Sequence, residues 1–174
     1  LRASAQANWK KSPELALADA KRVLEIDPDM LEAYEPMILA LLDLDRQKEA
    51  GEALALAGRR LVELGTTAGV LAWHCATTAV LEQETGDLEK ARKTWSTCLE
   101  KYPTDLDVVS TAIGFYDEQG EPKRALEILR AGLARDPASR AIRVALAGRL
   151  RVLGDSAEAE AVLSEATRSE NPAL

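Results

Sequence analysis

Alanine recurs at positions 16, 50, 91, 125 and 159 of this 174-residue chain, at separations of 34, 41, 34 and 34, and each copy sits in the same amphipathic setting. An apolar residue follows four positions later every time: Ala20, Leu54, Trp95, Leu129 and Leu163. Four residues make about one helical turn, so each pair shares a helix face. Seven positions after the alanine stands another small or apolar residue, namely Val23, Ala57, Cys98, Gly132 or Ala166. Self-similarity at a period of about 20–50 residues marks stacked supersecondary units, because one such unit cannot bury its apolar face alone.

The punctuation follows the same period. Turn residues precede three of the alanines: Gly86-Asp87, Gly120-Glu121-Pro122 and Gly154-Asp155. Twelve positions after Ala16, Ala91 and Ala125 stand the prolines of Asp27-Pro28, Tyr102-Pro103 and Asp136-Pro137, which read as helix stops because the residue before a proline is pushed out of the α region. No stretch shows strand-type alternation.

A helix–turn–helix unit of 34 residues, with alanine at its close crossing and proline at the turn between units, resembles the tetratricopeptide repeat family. The likeness extends over nearly the whole chain. In the family's pattern a large residue early in the first helix is followed by apolar and small residues and then an aromatic one. Tyr34, Met37, Ile38 and Leu41 fit that pattern, as do Val109, Ala112, Ile113 and Tyr116. The third unit departs, with Cys75 at the large position and Glu82 at the aromatic one, and the fifth has Arg143 where an apolar residue is usual while keeping Leu146, Ala147 and Leu150. The resemblance implies an all-α fold, a right-handed helical solenoid of about five antiparallel helix pairs. The repeats fall at approximately 1–30 (its first helix truncated), 31–71, 72–105, 106–139 and 140–173, forming one array over 1–174.

Two irregularities carry expectations of their own. The 41-residue step adds seven residues, which the run EALALAGRRLVELG assigns to a longer closing helix reaching Leu64 and capped by Gly65, with Thr66 or Thr67 capping the next helix. Pro36 falls inside a predicted first helix, where it removes a backbone hydrogen bond. Either that helix starts late or it is kinked, and the late start is favoured.

Composition sets outer limits. A formal charge of −7, from 29 acidic against 22 basic residues, disfavours nucleic-acid binding, which needs cations to displace counterions from phosphates. No apolar run is long enough to cross a bilayer, and residues 1–12 are too polar for a signal-peptide core, so direct membrane insertion by this segment is not expected. Solenoids need polar end caps, and neither terminus supplies one. The expectation is that the natural chain continues at one or both ends, and that uncapped ends carrying Leu1, Trp9, Val162, Leu163 and Ala166 can self-associate.

Catalytic chemistry finds little foothold. His74, the single histidine, is flanked by Trp73 and Cys75, but helix neighbours point about 100° apart and a zinc site needs three or four converging ligands. Cys75 and Cys98 could approach one another, yet both fall at packing positions, and reduced core thiols are expected. The sequence holds no phosphate-binding glycine loop, nucleophile elbow or paired-histidine metal motif. The chain is therefore expected to be no enzyme and to take no cofactor or metal.

What remains is a surface. The resemblance implies peptide binding on a concave face built by the first helices of successive repeats, and it assigns that face residue by residue. Repeat two contributes Glu32, Glu35, Leu39 and Asp43, and repeat three Trp73, Ala76, Thr77, Val80, Gln83 and Glu84. Repeat four contributes Asp107, Ser110, Thr111, Gly114, Asp117 and Glu118, and repeat five Ala141, Val144, Ala145, Gly148 and Arg151. Before the fifth repeat no assigned position carries Lys or Arg, so the clamp that some family members use on acidic chaperone tails has no counterpart there. The expected partner is a basic or amphipathic protein segment. With 14 Arg against 8 Lys and abundant alanine, the composition points to a GC-rich bacterial source. Envelope assembly, secretion or exopolysaccharide export is the expected setting, in the cytoplasm or the periplasm. The alternatives are a regulatory or substrate-recruiting arm of a larger enzyme, or a scaffold that assembles through its ends.

Overall fold

A computed structural model describes residues 12–65 and 67–170. Within them the chain forms α-helices and one short 3-10 turn, with no strand among the described residues. In chain order the helices are α1 (Pro13–Ile26), α2 (Tyr34–Asp43), α3 (Gln47–Leu64), α4 (Ala68–Glu84), α5 (Leu88–Lys101), α6 (Leu106–Glu118), α7 (Pro122–Arg135), α8 (Arg140–Val152) and α9 (Ser156–Glu170). They divide into two compact units, 1–97 and 98–174, with the division falling inside α5.

The alanine register is the core register. Ala16, Ala50, Ala91, Ala125 and Ala159 are each 0% exposed, a burial that a larger side chain at a close helix crossing would not permit. Four of the five partners four residues on, Ala20, Leu54, Trp95 and Leu129, are buried too, with Trp95 and Leu129 among the most deeply buried side chains. In the first unit α1 packs on α2, α2 on α3 and α3 on α4. Leu17, Ile38, Leu41, Leu54 and Leu61 form the centre of that core, and Leu24, Val70, Trp73 and Leu81 close over it. In the second unit α6 packs on α7, α7 on α8 and α8 on α9. Phe115 meets Tyr116 edge-on at 5.1 Å, and the Arg124 guanidinium lies 5.8 Å from the centre of the Tyr116 ring.

Each turn between paired helices is built alike. A residue at positive φ ends the first helix: Asp45 (58°), Gly86 (82°), Gly120 (73°) and Gly154 (92°). Its N–H donates to the carbonyl three residues back, and the next N–H reaches back five, as in Gly120 to Asp117 (3.0 Å) and Glu121 to Tyr116 (2.8 Å). This double bond pattern satisfies carbonyls that the helix end leaves open. The long α3 does reach Leu64 and stops at Gly65, in the left-handed conformation at φ 63°. Thr67 stands at the start of α4 but its side chain makes no cap bond, while Thr66 lies outside the described residues.

Pro36 takes the late start. A 3-10 turn over Leu31–Ala33 precedes α2, which begins at Tyr34 and so places Pro36 within its first turn. The first four N–H groups of a helix have no intrahelical partner, so the missing donor costs nothing there.

Candidate functional site

In the first unit the assigned surface comes from α2 and α4, helices whose sequences contain no Lys or Arg. Glu32, Asp43 and Glu84 are exposed, and Glu35, Leu39 and Val80 are half-buried. Among the described residues the cations of this unit stand elsewhere, on α1 (Lys21, Arg22), at and within α3 (Arg46, Lys48, Arg59, Arg60) and on α5 (Lys90, Arg92, Lys93). Several of these pair with carboxylates close by, Arg46 with Glu49 at 2.6 Å and Arg60 with Glu63 at 3.1 Å.

Other assigned residues of α4 belong to the core. Thr77 is 6% exposed and its hydroxyl donates to the Trp73 carbonyl at 2.9 Å, so it cannot reach a ligand. Ala76 is buried as well. Trp73 is half-buried, packs against the core of its unit and carries a buried Nε1 without a hydrogen-bond partner among the described residues. Glu82, at the position where an aromatic is usual, is buried and reaches Lys90 with one oxygen at 3.2 Å.

His74 is a packing residue. Its Nε2 lies 3.3 Å from the Leu54 carbonyl, and the ring occupies space that a Cβ on Gly58 would contest at 2.9 Å. Burial holds the imidazole below its ordinary pKa, partly opposed by the bond to Leu54, so the ring is neutral at pH 7. Its neighbour corrects an expectation: Cys75 and Cys98 are not reduced thiols, and both are disulfide-bonded. The packing positions that favour a reduced thiol are also those where helices approach closely enough for sulfurs to bond.

In the second unit α6 contributes Asp107, Ser110, Thr111 and Asp117, all exposed, on a helix without Lys or Arg. Asp105 caps this helix by accepting from the Asp107 and Val108 N–H groups at 3.2 and 3.1 Å. Asp117 is not free to meet a ligand, because Arg149 of α8 pairs with it. Arg149 was outside the assigned surface. The signal for it was its place one residue after Gly148, on the border of the exposed face. Gly114 and Gly148 stand 34 residues apart in α6 and α8, and a Cβ on either would meet nothing within 4 Å.

Arg143 shows what an apolar position can do with a cation. It is 6% exposed, and its guanidinium donates to the carbonyls of Pro137 and Val162, which ties α8 to the turn before it and to α9. Val162 and Leu163 are half-buried, whereas Leu1, Trp9 and the Ala166 side chain lie outside the described residues. No helix among the described residues is long and apolar enough to cross a membrane.

Buried alanines at each helix crossing, four identical hairpin turns and exposed first-helix faces define a helical-hairpin repeat scaffold. Residues 116–173 match the model of the tetratricopeptide repeat family. Among solved structures it is similar to the MamA RS-1 ArsTM double mutant, at 17% identity and a TM-score of 0.50, over 98% of this chain and 94% of that one. A crystal structure of MamA aligns at 19% identity and a TM-score of 0.49, over 90% of this chain and 88% of that one. YrrB, described as a TPR protein with an unusual peptide-binding site, aligns at 18% identity and 0.45, over 92% and 79%. At such identities the likeness is one of fold alone. Among curated proteins no sequence relative matches the chain.

Proposed function

We propose that the chain is a non-enzymatic protein-binding scaffold in which the α2 and α4 faces of the first unit, and separately the α6 face of the second, take a basic or amphipathic segment of a partner. The observation that carries this reading is the segregation of charge. Every charged residue of α2, α4 and α6 other than the neutral His74 is a carboxylate, and the cations of repeats two to four lie on or beside α3, α5 and α7. Of the assigned residues, Glu32, Asp43, Glu84 and Asp107 are exposed, with Leu39 and Val80 as the apolar part of the surface. Complementary charge raises the association rate and selects the sign of the partner more than it adds affinity.

The setting we propose is the bacterial envelope, in assembly, secretion or polysaccharide export. The arginine-over-lysine bias supports a GC-rich source, and two disulfide-bonded cysteines favour an oxidising compartment such as the periplasm.

The test uses a fluorescein-labelled amphipathic Lys/Leu peptide and the triple variant Glu32→Lys, Asp43→Lys and Glu84→Lys. All three side chains are solvent-exposed, so the substitutions are expected to leave the fold intact. Binding at low salt is expected to weaken about tenfold in the variant, and the difference to shrink as salt shortens the Debye length to about 8 Å or less. Equal binding by parent and variant at low salt would show that the carboxylates serve solubility.

A further inference from the structure

We propose that the outer face of α3 is a two-fold interface with a second copy of this chain. The buried residues of α3, from Ala50 to Leu61, hold one side of the helix. Turned away from them are Lys48, Glu52, Ala55, Leu56, Arg59 and Glu63, all exposed. Along the helix that face runs plus, minus, two uncharged residues, plus, minus. Taken in the reverse direction, each sign becomes its opposite. Two such helices laid antiparallel, with a two-fold axis between Ala55 and Leu56, therefore set Glu52 opposite Arg59 of the second copy and Lys48 opposite Glu63 of the second copy, and the symmetry makes each pair twice. A parallel pairing in register sets like charge on like, so the same pattern that favours one orientation opposes the other.

Helix geometry supports the match. Seven residues are close to two turns, so Glu52 and Arg59 share a line along the helix about 10 Å apart, and Lys48 and Glu63 flank that line about 22 Å apart. Ala55 at the axis is small and Leu56 beside it is 37% exposed. Nothing bulky there prevents the two helices from closing to the roughly 8–10 Å of ordinary helix packing. The other charges of α3 lie at the edge of the face, where Glu49 pairs with Arg46 and Arg60 with Asp29. The pattern depends on the added turn: α3 has 18 residues where α1, α5 and α7 each have 14, and Glu63 lies in the extra length. The exposed charges Lys123, Glu127, Arg130 and Arg135 of α7 do not invert on reversal. One helix crossing covers less than the roughly 1,200 Å² of a standard interface, and two chains of charge −7 repel one another, so a weak dimer is expected, in the high micromolar range.

The experiment is sedimentation velocity of the full chain from micromolar to millimolar concentration at physiological salt. The parent is expected to pass from monomer to dimer. Glu52→Arg and Arg59→Glu each weaken dimerisation about tenfold, since either one alone sets like charges together twice. The double variant restores it. An equimolar mixture of the two single variants associates more tightly than either variant alone, because every facing pair at the centre is then opposite in sign. All variants keep the parent's melting temperature. The proposal is overturned if the parent stays monomeric at millimolar concentration, if both single variants dimerise as the parent does, which would move self-association to another surface, or if the mixture associates no better than its components.

Discussion

Gly132 and Gly148 occupy neighbouring helices of one unit, yet their surroundings lead to opposite outcomes. A Cβ on Gly132 would sit 2.8 Å from the Pro103 carbonyl oxygen and 3.2 Å from the Ile142 side chain. Gly132→Ala is therefore expected to destabilise by about 1–2 kcal/mol, overpacking outweighing the gain in helix propensity. Gly148→Ala meets open space and is expected to stabilise by up to about 1 kcal/mol. Urea unfolding of both variants checks the pair, and equal shifts would remove the distinction. Sequence alone could not separate them. Both fall in helices, and only the approach of a backbone carbonyl from a distant turn makes one of them obligatory. The same blindness applies to Arg143, visible as an anomaly at an apolar position but not as the donor to two backbone carbonyls that its burial makes it.

The hairpin turn is the element the sequence displays most openly. Glycine marks three of the four turns, and the fourth uses Asp45 at φ 58°, a conformation that costs a residue with a side chain more than it costs glycine. Asp45→Gly is expected to stabilise by about 0.5 kcal/mol, less than the full conformational gain because glycine also loosens the unfolded chain. A lower urea midpoint in that variant would mean that the Asp45 contact with the Gln47 amide outweighs the backbone strain. Helix faces were less legible than turns. α6 and α7 have one apolar stripe each, and their inward residues follow from spacing. α4 reads AGVLAWHCATTAVLEQE, apolar nearly all round, so spacing could not say which side is inward. That is why Thr77 and Ala76 were assigned to the surface and lie in the core, and why Trp73 closes over the first unit's core while keeping only part of its ring exposed.

At the scale of the molecule the cysteines give a direct chemical test. With Cys75 and Cys98 disulfide-bonded, titration of the denatured, unreduced protein should return no free thiol, and reductant should lower the melting temperature. Two thiols per chain from protein purified under oxidising conditions would restore the reduced core that spacing suggested. The larger lesson lies in the turns and crossings. Every hairpin closes through bonds within its own few residues, and every crossing alanine is fully buried. A duplication or loss of one 34-residue stretch of the gene would therefore carry a complete turn and a complete crossing with it. The ancestry of such a chain can be written as changes in copy number, with side chains on the exposed faces left to diverge one unit at a time. The reversal from carboxylates on α6 to guanidiniums on α8 is what that freedom looks like after two copies have parted.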